Sequence, residues 1–224
     1  MNRYIKRTKL VATLATMGLL SAIGTTQAAL FEIDFTTAGA FSGTAPGAPG
    51  SNTVFATAIF DDHNSSGSVT LTMNVLNNLS AGAYVNDWYF NVASAPLAGI
   101  NFVSGVSAAT VENGTNAFKA DGTGGDFDFA FHFSTSNPGE LGQGHTSVYT
   151  LTDTGLTANA FNSVSISDPL GAGNGGYLSA LHVQGYGDSV WIAGNPGGTP
   201  VPEPVTLALL GLGLLGIGAT RRRN

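Results

Sequence analysis

The stretch Asp121-Gly122-Thr123-Gly124-Gly125-Asp126-Phe127-Asp128 is a Gly-rich acidic loop running into an alternating segment. Hard oxygen donors without neighbouring cations suit Ca²⁺, with Asp121, Asp126 and Asp128 as ligands. An EF-hand register starting at Asp121 fails. It puts Thr123 and Gly125 at the second and third ligand positions and His132 where the Glu belongs. The competing expectation is a plain strand, with Phe127, Phe129, Phe131 and Phe133 in the core and Asp128 and His132 solvated opposite them. Asp61-Asp62-His63-Asn64 offers four liganding side chains in succession, but Asx turns before Gly67 account for it more simply. Asp87-Trp88-Tyr89 and Trp191 carry aromatic faces beside a carboxylate, the equipment for stacking on a sugar ring. If Tyr84, Asn86, Trp88 and Phe90 share the apolar face, Trp88 is buried and Tyr89 turns outward, leaving Tyr89 and Trp191 as the stacking candidates.

Catalysis finds less support. Glu112 and Glu140 sit beside Gly in expected turns, Asn113-Gly114 and Pro138-Gly139, so neither reads as half of a glycosidase carboxylate pair. His63, His132, His145 and His182 are isolated, each expected to stay on the surface or bond locally. No GxSxG or HExxH occurs. Gly211-Leu212-Gly213-Leu214-Leu215-Gly216 matches GxGxxG, but it lacks the preceding strand and the later acidic residue of a dinucleotide site. The expectation is a protein that is not an enzyme and needs no cofactor, with Ca²⁺ the one ion nominated.

Charge removes further classes. Between Leu30 and Pro200, Lys119 stands against 13 carboxylates, a balance of −12 within a chain whose formal total is −6. No Arg lies between Arg7 and Arg221, so no guanidinium is available there to clamp a phosphate. So acidic a body repels nucleic acid rather than releasing its counterions. With no Cys, disulfides, thiol nucleophiles and zinc–thiolate sites are excluded together.

The elements that must position these residues read as strands. Val69 to Val75 and Phe127 to Phe133 alternate with period two, the mark of a half-buried strand. Further candidates are 30–36, 53–60, 84–92, 99–104, 146–152, 161–166, 177–184 and 189–193. Many short strands punctuated by Gly, Pro, Asn and Ser predict an all-β fold, an antiparallel β-sandwich of jelly-roll type, over 30–194. Gly39 to Gly50 is expected as a loop inside that domain, and 195–200 as a flexible tether.

Both ends carry topology signals. Residues 1–29 run from a basic start (Arg3, Lys6, Arg7, Lys9) through an apolar stretch, Leu10 to Ile23, to small residues, so a signal peptide cleaved after Ala28 or Ala29 is expected. As helix its apolar part spans about 21 Å, short of a ~30 Å hydrocarbon core. At the other end Val201-Pro202-Glu203-Pro204 precedes an uncharged stretch, 205–219, expected as a hydrophobic membrane helix. Arg221, Arg222 and Arg223 then form a cytoplasmic stop signal.

This tail over 201–224 resembles the PEP-CTERM sorting signal, with Pro202, Glu203 and Pro204 carrying the match. The resemblance implies export in a Gram-negative, exopolysaccharide-producing bacterium and recognition by a membrane-embedded exosortase-type processing enzyme. The body is similar to a group of PEP-CTERM proteins through Lys119-Ala120-Asp121-Gly122, Phe127-Asp128-Phe129, Thr154-Gly155-Leu156-Thr157-Ala158, Tyr177 to Gln184 and Trp191-Ile192-Ala193. That likeness implies an exported β-domain and brings no site residue with it. The reading is an exported, non-enzymatic cell-surface or extracellular-matrix protein, anchored transiently in the membrane. The alternative is an extracellular carbohydrate-binding module, Ca²⁺-dependent or not. Expected partners are the processing enzyme, the export machinery and exopolysaccharide, with no nucleic acid.

Overall fold

Alternation governs the strands. In Ser68–Val75, Val69, Leu71, Met73 and Val75 are buried while Thr70, Thr72 and Asn74 face outward, as period two requires. The computed structural model describes residues 29–43, 52–121, 126–166, 176–185 and 188–196. Its strands are β1 (Leu30–Phe35), β2 (Ala40–Gly43), β3 (Ala56–Asp61), β4 (Ser68–Val75), β5 (Tyr84–Phe90), β6 (Gly99–Gly105) and β7 (Thr110–Lys119). They continue with β8 (Asp126–His132), β9 (Leu141–Gly142), β10 (Thr146–Thr152), β11 (Ser179–Gly185), β12 (Asp188–Ala193) and β13 (Asn195–Pro196).

The first sheet has the order β13-β1-β3-β4-β10-β6 and the second β2-β12-β11-β5-β8-β7, with β9 beside β5. Every pairing is antiparallel, and most connections pass from one sheet to the other, as in a jelly roll. The all-β sandwich expected from the sequence is the fold.

The inner faces meet in one core. Phe35 packs edge-on to Trp88 at 5.1 Å between centroids, Phe60 on Phe90 at 5.5 Å, and Phe131 on Tyr149 at 4.6 Å. Each joins the first sheet to the second. Fully burying such a ring contributes about 2–3 kcal/mol, so this aromatic layer supplies the adhesion that disulfides do not. Gly194 marks the step from β12 to β13, where the chain changes sheets. A Cβ there would lie 2.9 Å from Phe35 Cζ and closer still to Ile33, so the crossing needs glycine.

Several expectations are corrected. Asn113-Gly114, expected as a turn beside Glu112, lies inside β7, a ten-residue strand whose register with β8 slips between Asn113 and Phe118. The slip absorbs the turn-like residues, with Asn116 at φ 48°. β2 lies inside the expected loop 39–50. Instead of a strand over 161–166, Ala158–Phe161 is a 3₁₀ turn and Ile166 makes a single bridge to Asp126. Asn195–Pro196, the start of the expected tether, pairs with β1.

On β5 a bulge at Asn86, set against His182/Val183, turns Val85 inward with Trp88 and Phe90, so Tyr84 leaves the apolar face. Phe127 joins a cluster on the outer face of the second sheet while Phe129, Phe131 and Phe133 enter the core. Residues 1–28 of the signal peptide expected over 1–29, loop residues 122–125 and the tail from 197, with its expected membrane helix 205–219, lie outside the described residues. Among the described residues no helix is long and apolar enough to cross a membrane.

Candidate functional site

The outer face of the second sheet gathers the chemistry. Adjacent strands align Trp191 (β12) with His182 (β11), His182 with Asp87 (β5), and Asp87 with His132 (β8). Glu112 on β7 closes the row. The His182 and Trp191 rings are parallel at 4.4 Å. His182 Nδ1 lies 2.9 Å from Asp87 Oδ2, His132 Nδ1 2.6 Å from Asp87 Oδ1, and His132 Nε2 2.9 Å from Glu112 Oε2. Asn86 Nδ2 also donates to Asp87 Oδ2, at 2.6 Å.

The protonation of the row follows from its partners. An ionised carboxylate only accepts hydrogen bonds, so a histidine held by one at each ring nitrogen must donate from both and is an imidazolium. The bond to Asp87 and then that to Glu112 raise the His132 pKa above its usual value, against a desolvation that lowers it. For Asp87, burial alone would push the pKa up. The bonds from His132, His182 and Asn86 outweigh it and hold the carboxyl well below the usual carboxylate range. Beside the row, burial and the charges of Asp87 and Glu112 push the Tyr89 hydroxyl up to about 12, so it stays protonated.

The histidines expected to be isolated therefore divide. His63 bonds Asp61 and Thr70, and His145 bonds the Glu140 carbonyl, both close in sequence. His132 and His182 converge on Asp87 from strands 45 and 95 residues away. Glu112, expected in a turn, is the second acid of that group. The available signal was parity: each of these side chains sits at an outward position of its strand. Which strands are neighbours is a long-range fact that parity does not contain.

The stacking candidates do come together. Tyr89 and Trp191 stack at 5.4 Å, but Tyr89 is only 8% exposed, covered also by Phe127 at 5.8 Å. Their ring faces are largely spent on each other and on His182. Beyond them, toward β2, Phe41 and Tyr177 stack at 5.0 Å and wall a cleft of about 610 Å³ with Asn162, Val164 and Gly194.

The Ca²⁺ candidates take separate partners. Asp121 accepts a hydrogen bond from the Ser42 hydroxyl, and Asp126 lies 3.8 Å from Lys119 Nζ. Asp128 is not solvated but 5% exposed, accepting the Asn116 N–H at 2.9 Å and the Val92 N–H at 3.0 Å. It pins the β7 irregularity to the end of β5. Among the described residues no three His, Asp or Glu side chains form a group able to hold a metal ion.

The fold thus defines an all-β sandwich with a histidine–carboxylate row on one outer face. Beyond the sandwich, residues 200–223 match the PEP-CTERM protein-sorting motif. The chain carries that sorting signal, which covers Val201 to Pro204 and the Arg221 to Arg223 cluster and implies export, membrane-associated sorting to the cell surface and processing by exosortase. No curated protein and no solved structure matches the chain.

Proposed function

We propose that this chain is a non-enzymatic protein of the cell surface or extracellular matrix, a β-sandwich exported by its signal peptide and released from a transient anchor when its tail is processed. The observation that carries the reading is the sorting motif at 200–223, placed directly after the strand that closes the sandwich. The register Ile33↔Pro196 and Asp34↔Asn195 adds to it. Antiparallel pairing at that register means the chain enters β1 and leaves β13 toward the same end, so both topology signals attach at one pole. Replacing Pro202, Glu203 and Pro204 with alanine tests the reading. Unprocessed chain ending at Asn224 should accumulate in the membrane fraction; unchanged extracellular release would contradict it.

A second reading, carbohydrate binding with or without Ca²⁺, is favoured by the cleft bounded by Phe41 and Tyr177 beside Trp191. Affinity electrophoresis of the exported protein in gels containing exopolysaccharide, with and without Ca²⁺, tests it. Retardation that disappears in Trp191→Ala or Phe41→Ala supports it, and unretarded migration in both gels overturns it.

A further inference from the structure

Asp62 is 6% exposed and carries its carboxylate into the pole where the chain enters the sandwich. Its Oδ1 accepts the Ala29 N–H at 2.9 Å and the Asn64 N–H at 3.1 Å, and its Oδ2 accepts the Ala158 N–H at 3.3 Å. The Asp62 N–H in turn donates to the Ala29 carbonyl at 3.3 Å. One buried carboxylate therefore holds the entry to β1, its own turn and the 3₁₀ turn at Ala158–Phe161. Among the described residues, the donors that reach this carboxylate are backbone N–H groups, none of them charged.

The residue it grips from β1 lies at the expected end of the signal peptide. We propose that export processing hydrolyses the Ala28–Ala29 bond and that the amine so released becomes the counter-ion of Asp62, locking the first strand. In that hydrolysis water adds across the peptide bond. Its hydroxyl goes to the Ala28 carbonyl carbon, which leaves as a carboxylate, and the Ala29 nitrogen gains protons to become an ammonium at neutral pH.

The small-residue rule fits this bond, with Ala28 and Thr26 at the two positions it constrains, whereas cleavage after Ala29 would put Gln27 at one of them. Cleavage after Ala29 would also remove the group that Asp62 holds. The amide N–H of the precursor gives Asp62 a neutral donor, and the mature amine gives it a charged one at the same place. The lock is thus complete only after processing. The inference rests on the export reading above and adds to it the bond cut and what the new end does.

Among the described residues, the titratable groups nearest in sequence to these contacts are Asp61 and His63 beside Asp62, Glu32 on β1 and Asp153 on the turn before Ala158. An amine paired with a carboxylate has its folded-state pKa raised above the usual value of about 7.7–8.0. Its stabilisation is complete below that value and is lost as pH rises through the raised one.

The experiment uses the full chain expressed with its signal and collected outside the cell. Its first residue is read by intact mass and N-terminal sequencing, and its melting temperature is compared with that of Asp62→Asn at pH 7 and pH 10. Asp62→Asn also weakens the Asn64 and Ala158 bonds, a loss independent of pH, and other titrations cancel between the two proteins. The expected result is Ala29 as first residue and a deficit in Asp62→Asn that shrinks by roughly 3–6 °C between pH 7 and pH 10. A mature chain starting elsewhere, or a deficit that stays constant, overturns the inference. Full-length precursor held inside the cell would instead overturn the export reading, and the inference with it.

Discussion

The two outer faces of this sandwich are built from the same alternation and differ in what it presents. On the first sheet the outward rows are short and uncharged at their centre: Ile59, Thr72 and Val148 align across β3, β4 and β10, and Thr57, Asn74 and Thr146 form the next row. Asn74 donates to Thr57 at 3.2 Å and accepts from Thr146 at 3.0 Å. On the second sheet the corresponding row is Trp191, His182, Asp87, His132 and Glu112, each polar member held by charge-assisted bonds. β-Branched residues make a face that any neighbouring strand can accept. The histidine–carboxylate row instead requires particular neighbours, and ties β7, β8, β5 and β11 together side by side.

Removing Asp87 should separate the faces most. Asp87→Ala leaves His132 and His182 without their shared acceptor at a site only 13% exposed, and should cost about 2–4 kcal/mol in urea unfolding. Thr72→Ala on the first sheet should cost about 0.5 kcal/mol or less. Equal losses would abolish the distinction. The same row shapes the pH profile. Asp87 has a lowered folded-state pKa, so its contribution is present above the unfolded value of about 3.9 and fades as pH falls through the lower folded one. His132 has a raised pKa, so its contribution is complete below about 6.5 and is lost as pH climbs through the raised value. Stability from this face should be greatest between about pH 4 and 6.5, and Asp87→Ala should flatten that maximum.

Glu112 offers a finer cut. Its side chain is 47% exposed, so Glu112→Gln should cost no more than about 1 kcal/mol after solvent screening, while lowering the His132 titration midpoint. A midpoint unmoved by Glu112→Gln would show that the Nε2 contact carries no weight. The smallest effect belongs to the first sheet. Burial, and for Glu32 also the charge of Asp34, raise the pKa values of Glu32 and Asp34 on β1. A raised carboxylate opposes folding above its pKa and ceases to do so as pH falls through it, the reverse of Asp87. Glu32→Gln should therefore leave stability at pH 7 unchanged or higher by up to about 0.5 kcal/mol; a clear loss would mean that Glu32 makes a favourable contact.

What could be read in advance follows the same division. The strands whose pattern alternates cleanly, β4, β8 and β10 among them, were visible in the sequence, and so was the tail matched at 200–223. Local pattern failed where one residue breaks it. Asn113-Gly114 looks like a turn but is absorbed by an irregularity inside β7, and the bulge at Asn86 exchanges Tyr84 for Val85 on the inner face. Asp128 read as solvated because its parity is outward, yet two backbone N–H groups freed by the β7 irregularity and the end of β5 claim it. The row itself depends on β5 lying between β8 and β11. That choice of neighbours is made by the whole core, and no window of sequence around His132 or His182 contains it.

The state of His132 decides whether this face is the charged row described or merely a polar surface. Titration of its imidazole by NMR in the exported protein, alongside Asp87→Asn, reads that state. The geometry predicts a midpoint above 6.5 that falls on the substitution; a midpoint at or below 6.5, unchanged in Asp87→Asn, would contradict it.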